Sequence, residues 1–411
     1  MCGIIVHKGE YNDSYIKNRG QDMSSEYERD GYYFMHYLLH ITGDKVIQPF
    51  VDGNIVCLYN GEIYNHKFKE SDGENLIPLY KKYGYDFPKY LDGEWAIALY
   101  DFDKGVALFS TDIFGTKPLW RNGTECASYE SGVGGHKIIP NCIFAMDLKT
   151  KVPVYTGHVY EFDFNNQHKD TYDDWIAAFK RSIKKRARDD CFIGLSSGYD
   201  SGGIACELNN QEIPFKAYSI PNNENLKLLF KRDEILNDVM FIQPKDRFEL
   251  VKEFLKENME SFKYTIEYNE IVKDSTIHDD PAHVGLGIIC EQANKDGRKV
   301  YLSGQGADEI MSDYAPYLMA QSSLKGEFPR DLKRWHNFQN GCQESYIAKE
   351  EYVAGAYNIE TRYPYLDKDV VQEFLWLKQG LKNRMYKAPL TEYLNRNDFP
   401  YEKTKRGFCP I

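Results

Sequence analysis

Near residue 165 the chain changes its hydrophobic period, and this switch constrains the fold more than any other feature of the sequence. Before it, the runs IIVHKG, NIVCLYNGEIYN, WAIALYDF, ALFSTD and GHVYEFDF are short and rich in β-branched and aromatic residues. Gly, Asn and Asp bound them, which predicts strands joined by turns. A helical stretch, ENLIPLYKKYG, sits between them, with Leu76, Leu79 and Tyr80 at helical spacing and Gly84 as a stop. The polar run NNQHKD at 165–170 then leads into YDDWIAAFKRSIKKRARDD, whose Trp175, Ala178, Phe179 and Ile183 share one helical face. Beyond it, CFIGL, KAYSI and KVYLSG alternate with helical patterns, as in a parallel α/β layer. We therefore expect two domains, 1–165 and 166–411.

Length and composition agree. At roughly 150 residues per domain, 411 residues correspond to two or three domains. The net charge of −11 argues against a general binder of nucleic acid or anionic membrane, which needs a basic excess. No run approaches the roughly 18 apolar residues of a membrane span. The opening MCGIIVHKGEYND does not read as a secretory signal, and the ending FCPI does not fit a prenylation box. A soluble, cytoplasmic protein is expected. The nine cysteines form no CxxC pair, so they read as reduced thiols, most of them small buried residues.

Cys2 stands apart by position. With Met1 removed, its thiol lies beside a free α-amine whose ordinary pKa of about 8 suits a built-in base. A thiolate attacking a carboxamide needs donors for the oxyanion. Leu58-Tyr59-Asn60-Gly61-Glu62-Ile63-Tyr64-Asn65 offers them in the Asn60 side chain and the Gly61 N–H, and Asp92 offers an acidic partner for a substrate amine. Singly, each also reads as an ordinary cysteine, turn or acid; in this order they gain specificity.

Met1-Cys2-Gly3-Ile4, Arg19-Gly20-Gln21-Asp22, Asn60 to Asn65, Leu91-Asp92-Gly93-Glu94 and Asp112-Ile113-Phe114-Gly115-Thr116-Lys117-Pro118-Leu119 together resemble the class II glutamine amidotransferase domain, in the order found in asparagine synthetases. The resemblance implies an N-terminal-nucleophile αββα sandwich that hydrolyses glutamine through a thioester on Cys2. By position Asn60 and Gly61 would form the oxyanion hole, and Glu62 and Asp92 would lie near the glutamine α-amine. One position departs from the pattern. Family members carry His-x-Arg-Leu before the oxyanion strand, and its Arg holds the glutamine α-carboxylate. Here His36-Tyr37-Leu38-Leu39 places Leu38 at that position, and leucine cannot satisfy a carboxylate. Arg29, His36 or His40 are the candidate substitutes; loss of glutaminase activity is the alternative.

The second concentration is Cys191-Phe192-Ile193-Gly194-Leu195-Ser196-Ser197-Gly198-Tyr199-Asp200-Ser201-Gly202-Gly203, an apolar strand running into a Ser/Gly loop, with a helix expected from IACEL onward. Such a loop aims backbone N–H groups and hydroxyls at a phosphate, and Asp200 at its mouth offers a hard oxygen to Mg²⁺. It is neither a Walker A loop nor GxGxxG, and a plain capped strand–helix turn is the alternative. The loop resembles the Ser-Gly-Gly-x-Asp-Ser pyrophosphate loop of adenylating ATP pyrophosphatases, with Ser197 in place of the first Gly. Val300-Tyr301-Leu302-Ser303-Gly304-Gln305-Gly306-Ala307-Asp308-Glu309 resembles the Ser-Gly-Glu-Gly-Ala-Asp-Glu segment of asparagine synthetases. There Ser303 and Gly304 would close on the nucleotide and Asp308 would be the second acid around Mg²⁺. Gln305 replaces a Glu that lies against the reaction centre, which removes a charge and a proton acceptor.

Asn358 to Asp367 resembles Glu-x-Arg-x-Pro-Phe-Leu-Asp, placing Arg362 near the adenylate, with an Arg362–Asp367 structural ion pair as the alternative. Tyr386-Lys387 and Lys403 to Phe408 match the late basic segments, where Lys387 would neutralise the leaving pyrophosphate and Lys405 and Arg406 read equally as a solvated face. Members of the family run on past this last segment, whereas Ile411 follows it closely here.

The resemblance as a whole implies a two-domain asparagine-synthetase-type ligase using ATP and Mg²⁺. A carboxylate attacks the α-phosphate of ATP; ammonia from glutamine passes between the domains and converts the acyl-adenylate to an amide. Its partners would be glutamine, ATP and aspartate, with no nucleic acid or membrane, and a homodimer is left open. Two other readings stay open: another acceptor such as a uronic acid of a surface polysaccharide, or a non-catalytic relative.

Overall fold

The computed structural model describes residues 1–268, 271–316 and 319–403. Two compact units result. One is Met1–Glu161 with Asn258–Glu260 and Ala354–Ile359; the other is Phe162–Glu257 with Ser261–Val353 and the chain from Glu360 onward. Among the described residues no helix is long and apolar enough to cross a membrane.

The first unit holds two six-stranded antiparallel sheets. Gly3–His7 lies inside one, between Tyr32–Leu38 and Glu125–Ala127. In the other, Ile55–Ile63 and Gly93–Asp101 are neighbours, paired from Ile55↔Asp101 to Ile63↔Gly93. Alternation explains how the sheets stack. Ile4, Val6, Tyr32 and Phe34 on one sheet meet Val56, Leu58, Ala96, Ala98, Tyr100 and Phe109 on the other in a single buried cluster, since every second residue faces the same way. The intervening Tyr59 faces outward and donates to Asp72, which starts the helical segment leading to the helix Leu76–Tyr83. Gly84 ends that helix with φ +61, as its position in the sequence suggests. The strand expected in GHVYEFDF is instead Pro153–His158. Past it, the Asn141 side chain accepts from Tyr160 N–H at 2.9 Å and donates to Tyr160 C=O at 2.8 Å, which takes that backbone out of the ladder.

The second unit is built on a five-stranded parallel sheet in the order Val239–Phe241, Lys216–Ser219, Cys191–Gly194, Val300–Leu302, Glu360–Arg362. In chain order the strands go one way from Cys191–Gly194, then return to its other side at Val300–Leu302. The order reverses between these two neighbours, and in open α/β sheets the crevice beyond the strand ends at such a point takes ligands. Asp173–Arg186 is the expected amphipathic helix, burying Trp175, Ala178, Phe179 and Ile183. The helix after Cys191–Gly194 begins at Tyr199, five residues before IACEL, and takes in Gly202 and Gly203. Glycine is a poor helix former, but a Cβ at Gly202 would run into Arg232 and one at Gly203 into Leu390 and Tyr365. Close packing overrides propensity here.

Candidate active sites

The inward faces of Ile55–Ile63 and Gly93–Asp101 change character along their length. Val56 and Leu58 are core, and the next residues on that face are Asn60 and Glu62; across the ladder Ala98 and Ala96 give way to Glu94, directly opposite Glu62. This polar end of the sandwich receives Cys2. Its backbone N–H donates to Asn60 Oδ1 at 2.8 Å, and its Sγ lies 3.9 Å from the Leu39 carbonyl oxygen. Asn60 is fully buried, and its Nδ2 has no hydrogen-bond partner, an arrangement that natural proteins rarely leave without a reason. Glu62 accepts from Thr42 Oγ1 at 2.8 Å. Asn65 brings in Asp92: its Oδ1 accepts Asp92 N–H at 2.9 Å while Tyr64 N–H donates to Asp92 C=O at 2.7 Å. Cys2, Asn60, Gly61, Glu62 and Asp92 are thus gathered at one end of the sandwich.

Gly61 adopts φ +145, and a Cβ there would overlap the Glu94 carbonyl oxygen. Gly61→Ala is expected to lower unfolding free energy by about 3 kcal/mol. Chemical denaturation checks this, and an unchanged midpoint would contradict the close approach.

Arg19 is the residue here that sequence reasoning left without a role. It is buried, donating from Nε to Cys2 C=O at 3.1 Å and from Nη1 to the Tyr129 hydroxyl at 2.7 Å, and so fixes the backbone of the thiol residue. Asp112 explains the DIFGTKPL motif. It accepts from Trp95 N–H, Phe114 N–H and Thr116 N–H and Oγ1, a knot that presents Lys117 to Glu94 at 3.6 Å.

Leu38 is buried at the end of its strand, next to the carbonyl that Sγ approaches. Of the substitutes considered, Arg29 pairs with Tyr32 at the far end of the ladder from Met23↔Leu38 and donates to Asn54. At about 3.4 Å per residue that end is roughly 20 Å away. His36 is buried, and burial pulls its pKa down to about 3, so its ring is neutral near pH 7. His40 Nε2 lies 2.9 Å from the Gly43 carbonyl oxygen. None of the three supplies the missing guanidinium in this arrangement.

In the second unit the two motif loops leave adjacent strands at the reversal point. Arg232, fully buried, donates to the carbonyls of Ser196 and, at 2.8 Å, Gly198. The loop's carbonyls therefore face Arg232. Its donors serve the other side: Ser196 N–H reaches Ser201 Oγ at 3.0 Å and Ser197 N–H reaches a Glu224 carboxylate oxygen at 2.7 Å. Asp200 lies in the first turn of the helix Tyr199–Asn210. From the neighbouring loop comes Asp308, with Gly304 so close that a Cβ would meet Asp200 Cβ at 2.9 Å. Lys387 joins the two acids: its Nζ is 2.5 Å from Asp200 Oδ1 and 2.8 Å from Asp308 Oδ1, and it is buried. Burial pulls this ammonium's pKa down, but Asp200 and Asp308 outweigh it and the net direction is up. Both carboxylates therefore converge on one cation position. Their hard oxygens suit Mg²⁺, although among the described residues no group of three or more His, Cys, Asp or Glu is arranged to hold a metal, so further ligands would come from a phosphate.

A cavity of about 340 Å³ opens at this point. Leu195, Ser196, Asp200, Ser201, Gly304, Gln305 and Asp308 line it. Ser197, Gly198, Ser303 and Lys387 stand behind that lining, tied to it by the contacts above and by Ser303 Oγ, which accepts Gln305 N–H at 2.9 Å. Arg362 is placed differently. Its Nε donates to Glu360 at 2.7 Å and its Nη1 to Arg186 C=O at 3.0 Å, and its own C=O accepts Ser303 N–H at 2.9 Å. Asp367, in turn, pairs with Arg186 at 2.6 Å and with Lys185. Burial raises that carboxyl, but the two cations overcome it and hold it near 2. In place of the alternative Arg362–Asp367 ion pair there are two separate pairs, Arg362–Glu360 and Arg186–Asp367. Sequence reasoning also missed Glu224, Lys349 and Glu350, which line the cavity but lie in segments with no motif. Lys405 and Arg406 lie outside the described residues.

A half-buried thiol beside the first residue of the chain, facing polar strand ends, and a strand-end cavity with a small-residue loop and paired acids, are the marks of an amidotransferase coupled to a synthetase. A family model for a glutamine amidotransferase domain matches residues 1–133, and one for asparagine synthase matches residues 174–350. The chain belongs to the asparagine synthetase family. It is 26% identical to an asparagine synthetase homologue of Methanocaldococcus jannaschii, over 94% of this chain and 79% of that one. It is 25% identical to the glutamine-hydrolysing asparagine synthetase 1 of Saccharomyces cerevisiae, over 90% and 75%. With the glutamine-hydrolysing asparagine synthetase B of Escherichia coli it shares 24% identity, over 86% and 69%.

Proposed function

We propose that the chain is a glutamine-dependent, ATP-driven amide synthetase that works through an acyl-adenylate, with aspartate to asparagine as the leading reaction. The observation that carries this reading is the convergence of Asp200 and Asp308 on one cation position beside the Ser196–Ser201 loop, at the reversal point of the parallel sheet. Ser196, Ser197 and Gly198 would hold pyrophosphate oxygens with the N–H groups and hydroxyls that now serve Glu224 and Ser201. Asp200 and Asp308 would hold Mg²⁺ arriving with ATP, and that ion supplies charge neutralisation for the leaving pyrophosphate. Lys387, released from the two acids, would add its own charge to the same leaving group. In the first unit, with Met1 removed, the Cys2 α-amine takes the thiol proton; Asn60 Nδ2 and the Gly61 N–H receive the oxyanion, and Glu62 and Asp92 hold the glutamine α-amine. The cysteines, free among the described residues, fit a reducing cytoplasm.

A second reading, in which the acceptor is a carboxylate other than aspartate, is favoured by the charge balance of the cavity. Among the described residues lining it, Lys349 is the one lysine or arginine, and it already pairs with Asp280 at 2.7 Å. Gln305 spends its amide on Glu309 at 2.7 Å. An acid with a single carboxylate, such as a uronic acid, asks less of such a wall than aspartate does. The deciding measurement is AMP release with glutamine and ATP across a panel of carboxylates. Aspartate-dependent AMP is expected under the first reading. AMP with another acid but none with aspartate selects the second, and no AMP with any acid removes both.

A further inference from the structure

Five carboxyl groups line the cavity of the second unit. Asp200 and Asp308 hold Lys387, and Glu224 holds Ser197. Glu309 accepts from Gln305 at 2.7 Å, from Gly306 N–H at 3.0 Å and from the Tyr314 hydroxyl. The fifth is Glu350, in the middle of the helix Cys342–Ala356. It is half-buried and borders the cavity, and it accepts a hydrogen bond from Ser303 Oγ at 2.6 Å. The same hydroxyl accepts Gln305 N–H, so Glu350 is tied to the turn that carries Gln305 and leads to Asp308.

We propose that Glu350 is the proton acceptor of the amide-forming step, supplying from a helix the basic group that Gln305 does not provide; this rests on the amide-synthetase reading above. As ammonia attacks, the new N–C bond forms at the adenylate carbonyl carbon. The bond from that carbon to the AMP oxygen breaks, and AMP leaves with the electron pair. The surplus proton on nitrogen passes to the Glu350 carboxylate, and from there to solvent.

The surroundings suit this task. Packed protein pushes the Glu350 carboxyl up, and the Ser303 hydroxyl and Lys349 restore only part of the shift, leaving it at about 8. Lys349 and Glu351 flank it on its own helix; Glu309 faces it from the turn side, Cys290 from the helix Pro281–Lys295 and Tyr301 from the strand Val300–Leu302. A base with a pKa near the working pH both accepts and returns a proton readily. Because the pKa is raised, the carboxylate form grows as pH climbs through about 8, and amide formation that depends on it rises in the same window.

The test uses the full chain and the best carboxylate from the AMP panel. Two rates are read: carboxylate-dependent exchange of pyrophosphate into ATP, which reports adenylation, and hydroxamate formation with hydroxylamine, a nucleophile already unprotonated at neutral pH. Glu350→Gln is expected to cut hydroxamate formation about 100-fold while exchange falls no more than about threefold, and to flatten the rise of hydroxamate rate through pH 8. Glu350→Asp, which keeps the acid on a shorter arm, is expected to recover part of the rate and of the pH dependence. Hydroxamate formation within about threefold of the parent overturns the inference, as does a parallel loss of both rates in E350Q and E350D. Absence of exchange in the parent with every acid overturns the amide-synthetase reading itself, a result distinguishable from the other two.

Discussion

A Cys2→Ala variant is expected to lose glutamine-supported product formation by on the order of 10⁴-fold, while formation supported by added ammonia stays close to the parent rate. On the proposed reading the thiol is the reacting atom; the groups gathered with it at this end of the sandwich are the Asn60 amide, the carboxylates of Glu62, Glu94 and Asp92, and the Leu39 carbonyl, none of which forms a thioester. The variant removes one sulfur from a position whose backbone is held independently by Asn60 and Arg19, so the fold should tolerate it. Ammonia enters the reaction after glutamine hydrolysis, which is why the second activity is spared. The comparison also decides the meaning of Leu38. If the parent's glutamine-supported rate is no higher than that of C2A, the glutamine-donor reading fails, and the leucine beside the thiol marks a lost carboxylate clamp. If the parent is far faster, the glutamine carboxylate is held by a group other than Arg29, His36 or His40, and Arg19 and Lys117 become the next side chains to replace.

Lys387→Met is the second large effect. The ammonium is buried between Asp200 and Asp308, and removing it leaves two carboxylates facing each other at the wall of the cavity. Breaking a buried pair of this kind costs about 3–5 kcal/mol, and on the proposed reading loss of the charge that neutralises the leaving pyrophosphate should lower pyrophosphate release by about 10³-fold. Stability alone would not separate these effects. Asp200→Asn in the same chain removes one of the opposed charges, so the double variant is expected to regain most of the lost stability without regaining activity. Equal stability of the single and double variants would contradict the bridging role. The backbone at Lys387 adds to the argument. It sits at φ 44, ψ 52, just before the helix Ala388–Arg396. A side chain held in this left-handed region costs free energy, and here that conformation aims the ammonium at the two acids.

Much of this architecture was legible in the sequence because it depends on local signals. Alternation marked the strands of the first unit, including the neighbouring pair that carries Asn60 and Glu94, and a strand running into a small-residue loop marked both strands at the reversal point. What could not be read is what depends on contacts across the chain. Arg186, the true partner of Asp367, lies in a helix far upstream, and no spacing rule connects them. Gly202 and Gly203 argued against a helix start at Tyr199 until the neighbours that exclude a Cβ were known. Glu350 sits in a helix whose polar and apolar residues are not segregated into faces, so nothing in the sequence distinguishes it from a surface acid. Lys387 was read from its motif as a phosphate partner; its contacts with Asp200 and Asp308 join distant parts of the chain and carry no local signal. The cysteines followed expectation in part: Cys57, Cys126, Cys191, Cys206 and Cys290 are buried, Cys142 and Cys342 only half so, and Cys409 lies outside the described residues.

The two walls of the cavity differ in how they are made, and this bears on how such an enzyme could be redirected. On the side of the Ser196–Ser201 loop the main chain is pressed against neighbouring side chains: Gly304, which lines the cavity, and Gly202 and Gly203 behind it each lack room for a single added carbon. The opposite wall consists of side chains, Leu286, Ile289, Tyr314 and Tyr346 among them, whose size and polarity can be exchanged without moving the main chain. Retargeting of the acceptor, by natural drift or by a protein engineer, therefore has its freedom on the aromatic and aliphatic side, while the machinery that spends ATP stays as rigid as its glycines.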